Sequence, residues 1–261
     1  MDHKTLLRID KVSAWLGIAW VITYALTFIV LGNNLPPAQA SWTGQELVDN
    51  FYLPHRTQIM IGMSLAAFFG FLYAALSILL TTLMWKRERG NHTLSMMQLI
   101  GGCFTAWTLI QSPVLWAWSA SVSGTEINPD LIKMATTLGW YMINMIYAIT
   151  TMQCFALGVF TLADKSKNLI FPRWAAIFAF FSGVTFSTET VLPFFMTGPL
   201  AYGGLWNFFG AAVFWFAFFL VYNISAIRFL NKHGIEAPIE IGAIDEPAAE
   251  QRVQREAVAT F

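Results

Sequence analysis

Among the residues of this chain that could carry chemistry, Glu189 stands apart by position. It lies inside the apolar run from Arg173 to Met196, and no other Asp, Glu, Lys or Arg sits deep within a hydrophobic segment. A charged side chain near the centre of a bilayer is unfavourable by about 2.5–3.5 kcal/mol on insertion scales, so it faces protein or a water-filled cavity rather than lipid. A carboxyl group held there can serve as the polar anchor for a small molecule, or take up and release a proton. Pro193 follows four residues later and removes the backbone donor that would bond the Glu189 carbonyl, which predicts a kink beside the acid.

Two amides in other apolar runs join it. Gln111 shares a helical face with Trp107, and Asn144 shares one with Tyr141. Counting about 1.5 Å of rise per residue from the helix ends puts Glu189, Gln111 and Asn144 at a similar depth. Polar groups among aromatics are the usual construction of a small-molecule pocket. The candidate ligand-binding residues are therefore Glu189, Gln111, Asn144, Tyr141, Trp107 and Thr185. Arg56 joins them as the long side chain best placed to reach inward toward the acid. The competing interpretation is that each polar group merely bonds across helices, worth on average about 0.6 kcal/mol.

The elements that position these residues follow from composition. Of 261 residues 56% are hydrophobic and 11% charged, against about 25% charged in soluble domains. That profile describes a polytopic membrane protein. Apolar runs at about 12–31, 58–85, 94–119, 132–162, 171–196 and 203–230 each reach the roughly 20 residues that a bilayer core requires. The expected fold is all-α, a six-helix transmembrane bundle over residues 1–232, with a polar cytoplasmic tail over 233–261. The run after Val12 is too long for a signal-peptide core and stays as the first span.

Between the first two spans, Thr43-Gly44-Gln45-Glu46 fits a capping box. It predicts a short amphipathic helix on the outer side, with Leu47, Val48, Phe51 and Tyr52 lying in the membrane interface as a lid or an anchor. The third span is expected to be interrupted at Pro113. Small residues recur at four-residue spacing in two spans: Gly62, Ala66, Gly70 and Ala74 in the second, and Ala175, Ala179, Gly183 and Ser187 in the fifth. Such seams let helix backbones approach closely, within the chain or between two copies of it. The opposite face of the fifth span, with Phe178, Ser182, Thr185, Phe186 and Met196, suits a pocket.

Orientation follows from the distribution of Lys and Arg near the span ends. Lys4, Arg8, Lys11, Lys86, Arg87, Arg89, Lys165, Lys167, Arg173, Arg228 and Lys232 fall on one side of a six-span chain, and only Arg56 and Lys133 on the other. Both termini are therefore expected in the cytoplasm, as in a bacterial inner-membrane protein. The glycosylation-like triplets at Asn91 and Asn223 then lie inside or within a span and are chance matches.

Several classes of chemistry find no support. The four histidines, at 3, 55, 92 and 233, all lie in loops or termini, so no haem or metal site and no other cofactor is indicated. Cys103 and Cys154 fall within spans and read as free thiols. The net charge of zero and the lack of a basic, aromatic-interleaved patch argue against nucleic acid. A lone carboxylate without a base partner falls short of a catalytic constellation, and no catalytic motif occurs. What remains is an integral membrane protein that binds or conducts a small, largely apolar molecule around Glu189, or, alternatively, a structural or accessory subunit of a membrane complex. The expected partners are the lipid bilayer, that ligand, and a second copy or a membrane-complex subunit. The expected orientation is checked by cysteines introduced at Gly90 and Gly124: an impermeant thiol reagent added outside intact cells should label only the second.

Overall fold

The computed structural model describes residues 2–88 and 90–234; the expected tail lies, from residue 235 on, outside them. The described residues are helical with no strand. Six helices are long and apolar enough to cross a membrane: α1 (His3–Leu31), α2 (Gly44–Trp85), α3 (Thr93–Val122), α4 (Pro129–Ala163), α5 (Arg173–Phe194) and α6 (Leu205–His233). Helices satisfy their own backbone hydrogen bonds, which is why runs of this apolarity form them. Each helix packs on its neighbours in sequence, and α6 returns to pack on α1, so the six form a closed ring.

One end of the ring carries the chain start and the basic turns. There Lys86 pairs with Asp10 at 3.8 Å, Arg87 donates to the Asn168 carbonyl at 3.1 Å, and its guanidinium lies 5.5 Å from the Phe229 ring centre. Arg173 donates to the Leu162 and Asp164 carbonyls at 2.9 and 3.0 Å, capping the end of α4, where carbonyls lack helical partners. At the opposite, distal end, the Tyr52 hydroxyl meets Thr136 Oγ1 at 2.7 Å, and Tyr202 stacks on Trp140 with ring centres 5.8 Å apart.

The interior is filled unevenly. Toward the basic end, Trp20 packs edge-on against Tyr73 at 4.9 Å and Trp215 at 5.3 Å, and Tyr73 meets Phe219 at 4.8 Å. These rings close the space between α1, α2 and α6. Toward the distal end the rings leave a cavity.

Four expectations about the elements are corrected. The capping box forms, with Thr43 N donating to Glu46 Oε2 at 2.7 Å and Glu46 N to Thr43 Oγ1 at 3.2 Å. The helix it starts is not a separate interfacial piece, however, because it runs on into α2 with an irregular step at His55. Leu47, Val48, Phe51 and Tyr52 are buried against protein, so they do not lie in the membrane interface as an anchor would. Second, Pro113 does not interrupt α3. The Leu109 carbonyl, which Pro113 cannot bond, accepts instead from the Tyr24 hydroxyl at 3.3 Å, and an outside donor of this kind lets a proline stay inside a membrane helix. Third, α4 is two helical pieces, Pro129–Asn144 and Tyr147–Ala163, with a step at Met145 and Ile146. Fourth, α5 is α-helical only to Phe186 and winds more tightly as a 3-10 helix over Ser187–Phe194. There Ser187, Thr188 and Thr190 each bond a carbonyl three residues back, hydroxyl bonds that compete with the α-helical ladder.

The small-residue seams are used within the chain. A side chain at Gly62 would come within 2.5 Å of the Leu31 backbone on α1, and one at Gly70 within 2.8 Å of Ile110 and 3.2 Å of the Leu109 backbone on α3. Ala66, Ala175 and Ala179 are fully buried, while Ala74 is half-buried and Ser187 exposed. Gly183 is looser, its nearest neighbour being Cys154 Cβ at 3.4 Å. Gly62→Ala should therefore lower stability by about 1–3 kcal/mol, the usual effect of overpacking against atoms that cannot yield. Gly183→Ala should be neutral or better. Thermal unfolding of the two variants in detergent checks the contrast, and equal losses would remove it.

Candidate functional site

The distal half of the ring holds a partly open cavity of about 100 Å³. Five helices line it: α1 with Tyr24, Phe28 and Ile29; α3 with Thr105 and Thr108; α4 with Trp140, Ile143, Asn144, Tyr147 and Thr150; α5 with Phe186 and Glu189; α6 from Asn207 to Phe216. A cavity needs roughly 10–15 Å³ on this measure to hold one water, so this one has room for several waters or for a small organic molecule. Its walls are mostly apolar, with aromatic rings from α1, α4, α5 and α6 and the polar atoms gathered on α3, α4, α5 and the start of α6.

Glu189 is 4% exposed. Its Oε2 accepts from Asn207 Nδ2, and Asn207 Oδ1 accepts from Asn144 Nδ2 at 2.9 Å. A hydrogen-bonded row of one carboxyl and two amides thus crosses from α5 through α6 to α4. Glu189 Oε1 has no hydrogen-bond partner, and among the described residues no cation pairs with the acid. The 3-10 turn that carries Glu189 is tied on both sides. Trp206 Nε1 donates to Thr188 Oγ1 at 2.9 Å, and the Tyr147 hydroxyl meets Thr190 Oγ1. These bonds from α6 and α4 to the residues flanking Glu189 hold its side chain toward the cavity.

The backbone around the cavity is irregular on four of the five lining helices. Ala25–Leu31 of α1 and Leu205–Gly210 of α6 are π-helical, α4 steps at Met145 and Ile146, and α5 is 3-10. Non-α backbone at membrane depth is tolerated where it is buried in protein or lines a cavity, and π segments recur at functional sites.

Of the residues singled out from the sequence, the structure brings Glu189 and Asn144 together. The others stand elsewhere. Gln111 is half-buried and Tyr141 packs on the core without lining the cavity. Trp107 is 56% exposed, on the outside of the ring. Thr185 is buried but bonds its own helix at the Phe181 carbonyl, 2.9 Å. Arg56 does not reach Glu189, because its guanidinium donates to the Ala120 carbonyl at 3.1 Å and to the Ser121 carbonyl. Those carbonyls lie in the last turn of α3, where the α-helical donors run out; Ala120 keeps only a long 3.4 Å bond from Ser123 N, so a nearby guanidinium is drawn to them. Lys133, the other distal cation, lies within electrostatic reach of Glu46. On α5, Phe186 lines the cavity with Glu189, whereas Met196 is exposed.

Asn207 is the residue that sequence reasoning missed. The signal was present, since an amide inside an apolar segment has the same reason to face protein that singled out Asn144. Gln98, Gln153 and Asn223, all fully buried, were overlooked in the same way. No known protein family, curated protein or solved structure matches the chain.

Asn207→Leu would leave both Glu189 Oε2 and Asn144 Nδ2 without partners. It should destabilise the protein by about 1–3 kcal/mol, the usual penalty for stranding a buried polar group. Gln111→Leu should shift stability by no more than about 0.5 kcal/mol. Thermal unfolding of both variants tests the assignment, and equal effects would sink it.

Proposed function

We propose that the protein is an integral membrane protein that binds a small, largely apolar molecule in the distal cavity, with Glu189 as its polar anchor. The observation that carries this is one buried carboxyl oxygen without a partner at the wall of a mostly apolar cavity. Buried polar atoms in native proteins are overwhelmingly hydrogen-bonded, and an exception calls for an explanation. A ligand that brings its own donor, an ammonium, amine or hydroxyl, supplies one. Asn207 holds the other oxygen, so the carboxyl is oriented before a ligand arrives, which reduces the entropy lost on binding.

The size of the space bounds the ligand. An apolar cavity of about 150 Å³ admits benzene, so the part of the ligand enclosed here is of that order or smaller. Tyr24, Phe28, Trp140, Phe208, Trp215 and Phe216 suit a flat hydrocarbon portion, and the row Glu189, Asn207, Asn144 suits a single polar head. The distribution of Lys and Arg supports placing the basic end in the cytoplasm, which puts the cavity in the outer half of the membrane. Passage of the ligand through the bundle and service as a subunit of a membrane complex are the rival roles. Internal use of the glycine seats at Gly62 and Gly70 weighs against their serving as a partner surface.

The test compares toluene, benzyl alcohol and benzylamine as probes on the purified protein. Benzylamine and benzyl alcohol should raise the unfolding midpoint by a few degrees more than toluene. In Glu189→Gln, which keeps the shape and removes the acid, the preference for benzylamine should vanish while the unliganded protein stays folded. Equal shifts for all three probes in the wild type would eliminate Glu189 as an anchor. No shift with any probe would favour the accessory-subunit role.

A further inference from the structure

The polar groups on the cavity wall are unbalanced in a way that selects among possible ligand heads. Five of them are hydroxyls, and each has already given its hydrogen to the protein. Tyr24 donates to the Leu109 carbonyl at 3.3 Å, Thr105 to the Gly101 carbonyl at 2.8 Å and Thr108 to the Thr105 carbonyl at 2.8 Å. The 2.9 Å contact between Thr150 and Thr105 Oγ1 is then a donation by Thr150. In the same way Thr190 donates to the Ser187 carbonyl at 2.7 Å, so in its bond with Tyr147 the tyrosine is the donor. What these hydroxyls have left to offer is lone pairs. Asn144 spends Nδ2 on Asn207, and Glu189 Oε1, the strongest acceptor of the set, has no partner. Set against these acceptors are only neutral N–H groups, on the two amides and on Trp140 and Trp215, and no Lys, Arg or His lies on the wall.

We propose that the ligand of this cavity is an organic cation, a protonated primary or secondary amine whose ammonium pairs with Glu189 while its hydrocarbon part lies among the rings. The proposal rests on the binding role assigned to the cavity above and narrows it from any donor to a charged one. An ammonium brings several donors and no acceptor, the complement of a wall on which the hydroxyl hydrogens are spent. Its bond to a carboxylate is charge-assisted, and such bonds are roughly twice as strong as neutral ones. The rings add to this, because the face of an aromatic ring attracts a cation.

The protein itself supplies no cation for Glu189. Arg56 is committed to the Ala120 and Ser121 carbonyls, and Lys133 lies within electrostatic reach of Glu46. A buried carboxylate left without a counter-charge is strongly unfavourable, and an ammonium ligand removes that cost where an alcohol does not. An alcohol gives Oε1 one hydrogen but brings further lone pairs to a wall already rich in them. A carboxylate or phosphate ligand would meet Glu189 with no cation to balance it. An inorganic cation fits less well than an ammonium. Calcium, for example, takes six to eight oxygen ligands, whereas among the described residues no three His, Cys, Asp or Glu side chains gather. Asn207 also turns its Nδ2, and not its oxygen, toward the carboxyl.

The test is titration calorimetry of the purified protein at neutral pH with three probes that share one ring: benzylamine, which is protonated there, benzyl alcohol and phenylacetate. The wild type should bind benzylamine about tenfold or more tighter than benzyl alcohol, and phenylacetate not measurably. Glu189→Gln should bring benzylamine down to the level of benzyl alcohol and leave benzyl alcohol nearly unchanged. Should that variant fail to fold, the wild-type comparison decides alone. Equal binding of benzylamine and benzyl alcohol, both tighter than toluene, would overturn the cationic class and leave Glu189 standing as an anchor for neutral ligands. Binding of phenylacetate, or a Glu189→Gln variant that still favours benzylamine, would overturn the pairing. Failure of every probe to bind would overturn the cavity's binding role together with the ligand class.

Discussion

The structure depends on one constraint: inside an apolar slab a backbone or side-chain polar group must find its partner within the protein. Helix formation meets that demand for most of the backbone, and the remaining groups organise the rest. The Tyr24 hydroxyl goes to the Leu109 carbonyl that Pro113 leaves open, which ties α1 to α3 and lets α3 run on as one helix. Arg56 and Arg173 do the same for the carbonyls that end α3 and α4. These contacts explain why two arginines that look free in sequence are committed in the fold. In both cases a guanidinium with several donors meets several orphan acceptors at once, an arrangement a distant single carboxyl cannot match.

Within that frame the interior of the ring is divided by packing. Aromatic rings from α1, α2 and α6 fill the half nearest the basic end, and their upper members, Tyr24 and Trp215, become the floor of the cavity. Above that floor the lining helices depart from α geometry. Changing the winding of a helix by a fraction of a turn rotates every residue beyond it, so these departures decide which side chains face inward. On α5 the 3-10 turn accompanies the inward placement of Glu189, while Phe194 beyond it is 81% exposed. A regular helix through Pro193 would leave the Glu189 carbonyl unbonded.

The polar groups of the interior fall into two kinds. Some are closed clusters that join helices, such as Tyr222 with Thr161 and Ala175. Others keep open valences: Glu189 Oε1 at the cavity and, away from it, atoms of Gln98, Ser112, Gln153, Ser182 and Asn223. In a low-dielectric interior an unpaired polar atom is costly, and among the described residues Glu189 carries the one that borders the cavity. The coincidence of an open carboxyl oxygen with a cavity, rather than the number of buried polar residues, is what sets Glu189 apart.

How much of this was legible in the sequence depends on whether a feature is local. The six apolar runs, the buried acid and the capping box at Thr43 are properties of contiguous residues, set by hydropathy, length and backbone capping, and they could be read directly. The glycine spacing announced close helix contacts, although not which helix comes close. Partner choice was not legible. Asn207 as the bridge from Glu189 to Asn144, Tyr24 as the donor for Leu109, and the commitment of Arg56 to α3 all join residues far apart in sequence. The step in α4 at Met145 and Ile146 has no glycine or proline to announce it. Depth counted along a chain places residues at a level but leaves each helix free to turn about its axis. Gln111 and Trp107 stay off the cavity wall, because the rotation of α3 is decided by its packing against α2 and α4. Composition and periodicity thus determined that this chain makes a bundle of six helices long and apolar enough to cross a membrane, with a buried acid, and only the tertiary structure decided what that acid meets.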